Sequence, residues 1–482
     1  MIRQTLFWQF LLFSAVPVVA WAQSQGTFTS TGSLTTQRMD HTATLLDNGE
    51  VLIAGGGAVL EGWPTWSTAE LYAPARGTFT STGSMVVARA SHTATLLPDG
   101  KVLIAGGSPT TQTLGFLSSA ELYDPSMELF TATAAMTVAR VGHTATLLNN
   151  GQVLLAGGSN PQTNGVSAAL ASAELYDPAT GTFKATGSMT IGRAGHKAIL
   201  LPDGRVLIVG GDQGHNPPAE VYDPLTGTFA LAGSSAYPDD YFPETATLLV
   251  DGNVLTTLND GELSNKAELY NPMSGNFTVT SNMTTNRGYS TSTLLPDGKV
   301  LITGLDGLGG GSSELYDSAA GVFSATGGVA TSQEGHTATL LPDGSVLLAG
   351  GWICCGYSVA TAELYHPAVL VPSPLLYSLP GGSQGAILHA VTNDVVSPAN
   401  PAVRGEALEI YGAGLIEGGA IPPQVAIGGR LAEVLFFGDA PGYPGLNQIN
   451  VRVPNGIAPG SAVPIRLNYL GRPSNEVTVA IQ

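Results

Sequence analysis

A short pattern recurs seven times along the chain: Thr-x-Thr-Leu-Leu or a close variant, a Gly-bearing turn, and a second apolar run. In the clearest copy, residues 93–97 lead to Pro98-Asp99-Gly100, and the second run ends at Gly106-Gly107. Branched and apolar residues favour strands and Asp-Gly favours a tight turn, so each copy predicts a β-hairpin. The residue before each copy is spaced 46 to 53 residues from the next, a period typical of propeller blades. These residues are His41, His92, His143, His196, Glu244, Ser290 and His336.

Two further strands follow each hairpin. The third carries Glu-Leu-Tyr or Glu-Val-Tyr, and the fourth carries a phenylalanine. The chain begins with a lone fourth strand, residues 26–34, and the repeats end on a third strand, residues 362–367. We therefore predict an all-β fold with a seven-bladed β-propeller over residues 23–367, closed by the N-terminal strand. Such closure removes the exposed sheet edges that an open array would leave.

The repeated motifs resemble a known family. The Arg-x-x-His-Thr-Ala-Thr-Leu-Leu start, the Gly-Gly end of strand two and the tyrosine of strand three are similar to kelch repeats. The likeness is greater still to the kelch-type blades of galactose-oxidase-like propellers. Two features depart from that pattern: phenylalanine replaces the usual tryptophan, and blades five and six lose the Gly pair at residues 256–258 and 303–305.

The remaining segments differ in composition. Residues 1–22 have a basic start, an apolar centre and the ending Ala20-Trp21-Ala22, a pattern typical of a secretory signal peptide. Residues 368–385 are rich in proline and glycine and predict a linker. Residues 386–482 contain short strand-like runs and predict a small Ig-like β-sandwich. That region also resembles a C-terminal module of exported acidobacterial proteins, so we expect a secreted, extracellular bacterial protein.

Charge and cysteine content limit the partners. The formal net charge is −18, which argues against a nucleic-acid partner. After the signal segment no apolar run has the length of a membrane span.

The two cysteines, Cys354 and Cys355, are adjacent. A strained vicinal disulfide and an incidental reduced pair remain equal alternatives for them. We expect a monomer.

Most blades share an arginine, a histidine and a glutamate. A single active site does not require the same residue in every blade, so we interpret this set as a buried structural bracket in which Arg and Glu pair. Its members are Arg38, His41, Glu70, Arg89, His92, Glu121, Arg140, His143, Glu174, Arg193, His196, Glu220, Glu268, Glu314, His336 and Glu363, with Arg287 in blade six.

The resemblance to galactose-oxidase-like enzymes implies a copper site with tyrosine and histidine ligands, a cysteine cross-linked to one tyrosine, and one histidine from the C-terminal domain. Here the only cysteines are the adjacent pair, and the C-terminal domain offers only His389, at its start. Tyr365-His366 occupies an ordinary strand-three turn. This ligand set cannot be assembled, so we predict no catalytic residue, metal site or cofactor, and copper enters only under an enzyme alternative.

The loops where the blades differ are better candidates for function. The loops between strands two and three and the blade-to-blade loops share one face, and they carry exposed aromatic residues beside carboxylates. Such residues suit stacking on a sugar or anchoring a protein, although they also pack loops onto blades. Closure is expected to bring the aromatic residues of blades one and seven together. The candidates are Trp63, Trp66, Phe116, Asp239, Asp240, Tyr241, Phe242, Glu244, Trp352 and Tyr357.

Three functions follow from these patterns. The first is a non-catalytic binding protein that holds a carbohydrate or protein ligand on the loop face. The second is an extracellular enzyme of the galactose-oxidase or sugar-modifying kelch type. The third is a structural scaffold at the cell surface or in a matrix.

Overall fold

The computed structural model describes residues 26–58, 64–110, 115–161, 167–211, 217–237, 241–261, 263–306, 310–329, 334–353 and 357–482. Regular structure in these ranges consists of strands, and no helix is found there. Accordingly, the described residues contain no helix long and apolar enough to cross a membrane. The predicted signal peptide, residues 1–22, lies outside the described ranges.

The repeats form seven four-stranded antiparallel sheets, which confirms the predicted seven-bladed propeller. Strand β1 (Thr27–Ser30) precedes six blades of consecutive repeats. Blade one contains β2 (Thr42–Leu45), β3 (Val51–Ala54), β4 (Ala69–Ala73) and β5 (Thr78–Ser81), and blade two contains β6 (Thr93–Leu96), β7 (Val102–Ala105), β8 (Ala120–Asp124) and β9 (Leu129–Ala132). Blade three contains β10 (Thr144–Leu147), β11 (Val153–Ala156), β14 (Ala173–Asp177) and β15 (Thr182–Ala185), and blade four contains β16 (Lys197–Leu200), β17 (Val206–Val209), β18 (Glu220–Asp223) and β19 (Thr228–Leu231). Blade five contains β20 (Phe242–Leu248), β21 (Val254–Asn259), β22 (Ala267–Asn271) and β23 (Asn276–Val279), and blade six contains β24 (Arg287–Leu294), β25 (Lys299–Asp306), β26 (Gly311–Asp317) and β27 (Val322–Ala325). A small hairpin, β12 (Ser159–Pro161) and β13 (Ser167–Ala169), extends one loop of blade three.

Blade seven is assembled from both ends of the repeat region. It contains β28 (Thr337–Leu340), β29 (Val346–Ala349) and β32 (Ala362–His366), and β1 is its outermost strand. A short hairpin of β30 (Trp352–Ile353) and β31 (Tyr357–Ser358) projects from its loop. Phe28 lies opposite Tyr365 in this pairing, with ring centroids 5.0 Å apart. The inner strands of successive blades contact one another around a full circle, including β28 with β2, so the ring is closed.

The Gly pair at the end of strand two has a steric cause. Gly106 and Gly107 have φ values of +65° and +93°. A Cβ atom on Gly107 would lie 2.6 Å from the carbonyl oxygen of Ala90 and 2.9 Å from the His92 side chain. The backbone therefore bends back against the neighbouring histidine where only glycine fits.

The propeller core lies between blades. The four residues of β7 are each no more than 1 % exposed, because a neighbouring blade covers each face of the sheet. One such cluster joins Leu52 and Met85 of blade one to Val102, Ile104 and Tyr123 of blade two. Each blade is thus stabilised by its two neighbours, as in other repeat architectures.

The C-terminal region forms a sandwich of two five-stranded sheets that share one apolar core. One sheet contains β33 (Leu375–Leu376), β34 (Ile387–His389), β35 (Ala407–Ala413), β38 (Glu433–Ala440) and β39 (Tyr443–Arg452). The other contains β36 (Gln424–Ile427), β37 (Arg430–Leu431), β40 (Gly460–Tyr469), β41 (Arg472–Pro473) and β42 (Val477–Ile481). Its Ig-like relationship stays a prediction.

Part of the segment predicted as a linker, residues 368–385, belongs to this sandwich. Leu375 and Leu376 pair with Ala413 and Gly412. Leu376 is only 2 % exposed and packs in the sandwich core. The prolines and glycines of this segment lie on either side of a paired strand, so this part of the segment is not a flexible linker.

The sandwich packs on the propeller face formed by the tight turns. Arg466 Nη1 lies 2.6 Å from Asp47 Oδ2, and the Ala420 amide donates to the Val250 carbonyl at 2.7 Å. Cavities of about 490 and 1130 Å³ lie along this junction, the smaller one against the inner strands of blades one, two, three and seven. The sandwich therefore lies over this end of the channel, on the side opposite the loops between strands two and three.

Candidate ligand site at the mouth of the propeller channel

The repeated arginine and glutamate lie beneath the loop face as buried ion pairs. In blade two, Arg89 Nη2 is 2.7 Å from Glu121 Oε1, and the same guanidinium donates to the Gly106 and Ser119 carbonyls. Glu121 also accepts the amide N–H groups of the connection from the preceding blade. Equivalent pairs at 2.7–3.0 Å join Arg38–Glu70, Arg140–Glu174, Arg193–Glu220 and Arg287–Glu314. All ten side chains are no more than 2 % exposed, so a ligand has no route to them.

Two blades carry the glutamate without this arginine pairing. Glu268 of blade five accepts hydrogen bonds from Ser235 Oγ and the Ala236 amide, both at 2.8 Å. Burial raises the pKa of the Glu268 carboxyl, since no guanidinium compensates its charge. Glu363 of blade seven is buried as well, at 6 % exposure.

The histidines join neighbouring blades around the channel mouth. In each case Nε2 lies within hydrogen-bond distance of a threonine hydroxyl on the inner strand of the preceding blade: His92 with Thr42, His143 with Thr93, His196 with Thr144, His336 with Thr291 and His41 with Thr337. Burial, aided by the nearby arginines, lowers the pKa of His41, His143 and His196 to about 3. These imidazoles are therefore neutral, structural groups at ordinary pH.

One junction of the ring replaces this pair with two charged residues. Between blades four and five, Lys197 stands where the other junctions have threonine, and Glu244 stands where they have histidine. Both side chains are half-buried. Burial lowers the pKa of Lys197 and raises that of Glu244, while the attraction between the two groups opposes both shifts. The Ser290 amide of blade six donates to Glu244 Oε1 at 3.0 Å.

The next residue along the ring is an exposed tyrosine in a strained conformation. Tyr289 directly precedes Ser290, is 51 % exposed and has a φ of +51°. The equivalent positions in five of the other blades also have positive φ, but carry small residues: Asp40, Ser91, Gly142, Gly195 and Gly335. A bulky aromatic residue is rare in this region, and such strain is found mostly at functional sites.

Tyr289 contacts Trp352 of blade seven. Their ring centroids are 5.9 Å apart at 78°, an edge-to-face arrangement. A Cβ on Gly335 would lie 3.4 Å from the Trp352 indole nitrogen, so this glycine leaves room beside the tryptophan. Lys197, Glu244, Tyr289 and Trp352 thus form a continuous arc across blades four to seven, which we call the variant arc.

The other predicted aromatic residues are dispersed. Trp66 donates its indole N–H to the Gln37 carbonyl at 3.2 Å, a contact that packs its loop onto the blade. Tyr241 contacts Tyr237 in a tilted arrangement with ring centroids 5.7 Å apart, and Phe242 opposite Asn259 begins β20. Phe116 is half-buried, and Tyr357 is 63 % exposed opposite Ile353. Trp63, Asp239, Asp240, Cys354 and Cys355 lie outside the described residues.

Sequence reasoning included Glu244 and Trp352 but missed Lys197 and Tyr289. A signal for both was present, because each occupies a position that the other repeats fill with threonine or with a small residue. The ring that contacts Trp352 among the described residues is that of Tyr289 in blade six, and the predicted neighbour Trp63 of blade one lies outside the described residues.

The architecture defines a galactose-oxidase-like propeller fold joined to a β-sandwich. A solved structure of a fungal AA5-family alcohol oxidase in complex with copper matches 95 % of this chain and 100 % of its own, with a TM-score of 0.60 and 17 % sequence identity. Searches of protein-family models and of curated protein sequences each return no match. At this identity the likeness establishes the fold alone.

A copper ion, as in that solved structure, would need a cluster of donor side chains. No group of three or more His, Cys, Asp or Glu side chains there is close enough to hold a metal ion. The ring histidines direct Nε2 to threonine hydroxyls, as given above. His389 of the sandwich is 6 % exposed and is held by Glu406 Oε1 at 2.5 Å and near the Asn400 carbonyl at 3.2 Å.

Proposed function

We propose that this protein is an exported binding protein that holds a polyhydroxylated ligand, a sugar or a polyol, at the loop-face mouth of the channel. The observation that carries the proposal is the Tyr289–Trp352 pair. Two aromatic rings from different blades meet at an exposed position, and one of them is held at a strained backbone angle. Aromatic faces stack on sugar rings, and half-buried polar groups at Glu244 supply hydrogen bonds beside them.

The test replaces Tyr289 with the residue that its backbone prefers. Glycine occupies the same ring position at Gly142, Gly195 and Gly335, so Tyr289→Gly relieves strain. We expect an unchanged or higher melting temperature together with loss of ligand binding, measured by saturation-transfer NMR against a panel of neutral oligosaccharides and polyols. Ser91→Gly is the matched control, because Ser91 has the same φ of about +52° but lies in blade two, outside the variant arc.

Loss of binding in both glycine variants would mean that the effect is general and not local. Failure of the unmodified protein to bind any member of the panel would reject the proposal.

An enzyme is the second candidate, favoured by the copper-bound alcohol oxidase with the matching fold. Its test is to incubate the mature protein with Cu²⁺ and the same panel, and to measure hydrogen peroxide and oxidised product. Product formation that depends on copper would establish the enzyme. Tight copper binding without product would leave the binding function as the better account.

A further inference from the structure

Blade seven carries a carboxylate at a ring position that is uncharged in every other blade. Glu334 lies two residues before the ring histidine His336, and the equivalent residues of the other blades are Met39, Ala90, Val141, Ala194, Phe242 and Gly288. The residue opposite this position changes as well. Glu334 forms a β-bridge with Trp352, whereas the same bridge in blades one to three joins Met39–Gly57, Ala90–Ser108 and Val141–Ser159. A carboxylate and an indole thus replace two uncharged, non-aromatic residues.

The side chains of Glu334 and Trp352 lie on the same face of blade seven. The Glu334 amide donates to the Trp352 carbonyl at 2.8 Å, and the Trp352 amide donates to the Glu334 carbonyl at 2.9 Å. Residues that exchange both hydrogen bonds in an antiparallel pair are directly opposite, so their side chains are neighbours on one face. The Tyr289 ring contacts the Trp352 ring. The carboxylate therefore lies beside the exposed aromatic pair.

The Glu334 carboxylate has no partner in the described part of the chain. The residue is 6 % exposed, yet its side chain forms no hydrogen bond and no ion pair there. Burial raises the pKa of this carboxyl, and no neighbouring cation opposes the shift. Neither oxygen belongs to the fully buried unpartnered atoms of the described residues, so the carboxylate reaches the surface of the site. A positive charge bound here would compensate a carboxylate that the fold leaves unpaired.

The loops around this site are acidic. Apart from the arginines of the buried ion pairs, the loops between strands two and three and between blades contain one basic residue, Lys266. Lys197, at the start of an inner strand, is attracted to Glu244. The acidic residues of the same loops are Asp40, Glu61, Asp212, Asp239, Asp240, Glu244, Asp260, Glu262, Asp306 and Glu334. The charge of this face thus favours a cationic ligand.

An ammonium group fits these side chains. The Tyr289 and Trp352 rings meet at 78° with centroids 5.9 Å apart, so they form two walls at nearly a right angle. Aromatic faces attract cations, and a carboxylate accepts a charge-assisted hydrogen bond from an ammonium N–H. An anionic ligand would be repelled by Glu334, and a neutral hydroxyl would leave its charge uncompensated.

We propose that the ligand of this site is an amino sugar, whose ammonium group binds Glu334 and lies against the Tyr289 and Trp352 rings. Glu334 is then the specificity-determining residue of the site. This inference rests on the function proposed above.

The ligand test uses oligosaccharides that differ only at the amino group. Glucosamine oligomers carry an ammonium, whereas their N-acetylated counterparts keep the same ring and the remaining hydroxyls without the charge. We expect calorimetry on the unmodified protein to show that the amine form binds about tenfold or more tightly than the acetylated form, because acetylation removes the charge-assisted hydrogen bond and the cation–π contact.

The variant test removes the charge of Glu334. Glu334→Gln keeps the shape and the hydrogen-bonding capacity of the side chain, so we expect the preference for the amine to fall to nearly onefold while the acetylated form binds as before. Glu334→Ala recreates the residue of blades two and four and is expected to retain the melting temperature and to lose the same preference. Glu417→Gln is the matched control, since it removes one exposed carboxylate from the sandwich and should retain the full preference.

The outcomes separate the two proposals. If the unmodified protein binds amine and acetylated forms equally, and Tyr289→Gly abolishes both, the amino-sugar inference is refuted and the aromatic sugar site stands. A preference that survives in Glu334→Gln, or that is lost equally in Glu417→Gln, also refutes the role of Glu334. If a simple alkylamine binds as tightly as the amino sugar, or if no sugar binds, both proposals fall.

Discussion

Acid should unfold this propeller through its ring histidines. The folded state holds the pKa of His41, His143 and His196 at about 3, against 6.5 for an ordinary histidine. Between these values the unfolded chain binds a proton that the folded chain excludes, so stability is full above pH 6.5 and falls as the pH decreases toward 3. At pH 5 the loss is about 2 kcal/mol for each histidine, or about 6 kcal/mol for the three. That is a large part of the 5–15 kcal/mol that stabilises a typical domain.

His143→Gln isolates one site. Glutamine retains a hydrogen-bonding group for Thr93 but does not titrate. We expect the variant to be less stable than the unmodified protein at pH 7.5 and to lose stability less steeply on acidification, by about 1.4 kcal/mol per pH unit between pH 4 and 6. All carboxylates are common to both proteins, so their contributions cancel in the comparison.

Urea unfolding followed by tryptophan fluorescence is the assay. Every tryptophan beyond the predicted signal peptide, namely Trp63, Trp66 and Trp352, lies in the propeller region, so the sandwich does not contribute. Parallel curves of unfolding free energy against pH for the two proteins would refute the reasoning. They would mean that His143 is protonated in the folded state or is already uncharged in the unfolded one.

Three further predictions concern stability. Arg140→Met leaves a buried glutamate without its guanidinium, so we expect a loss of about 3–5 kcal/mol in urea unfolding with ligand binding intact; altered binding with full stability would contradict the structural role. Gly107→Ala forces a Cβ within 2.6 Å of a carbonyl oxygen at a φ of +93°, so the melting temperature should fall, and an unchanged value would disprove the steric account. Arg466→Met removes a partly exposed ion pair to Asp47, so stability should change by less than about 1 kcal/mol while protease cleavage between the domains increases.

The regular part of the fold could be predicted because the sequence motif for each strand and turn recurs seven times. Thr-x-Thr-Leu-Leu, the Asp-Gly turn and the Glu-Leu-Tyr strand each specify local geometry, and their count specifies the ring. The strand at Leu375–Leu376 escaped prediction, because two apolar residues among prolines and glycines reveal their pairing only once the partner strand β35 is in place.

The candidate site was less accessible to sequence reasoning for a related reason. Glu244 and Trp352 were found as unusual residues in variable loops, but which residues they contact depends on loop shape and blade geometry. Tyr289 was overlooked since its departure shows only on comparison with the small residues that other blades carry at the same positive-φ position. Lys197 was overlooked since it lies in a strand that otherwise follows the repeat pattern. One lysine in place of the usual threonine does not change the strand prediction.

The pairing of β1 with β32 gives this chain an unusual order of assembly. Ser30 meets Glu363, so the last sheet to be completed joins segments 333 residues apart. Closing so long a loop in an unfolded chain costs about 5 kcal/mol of entropy, which blades one to six reduce by holding its ends near each other. Synthesis produces β1 first, and it must wait, unpaired, until the whole ring has emerged. A circular permutant that begins at β2 and carries β1 directly after β32 converts this slowest contact into a local hairpin, and it should refold faster to the same ring.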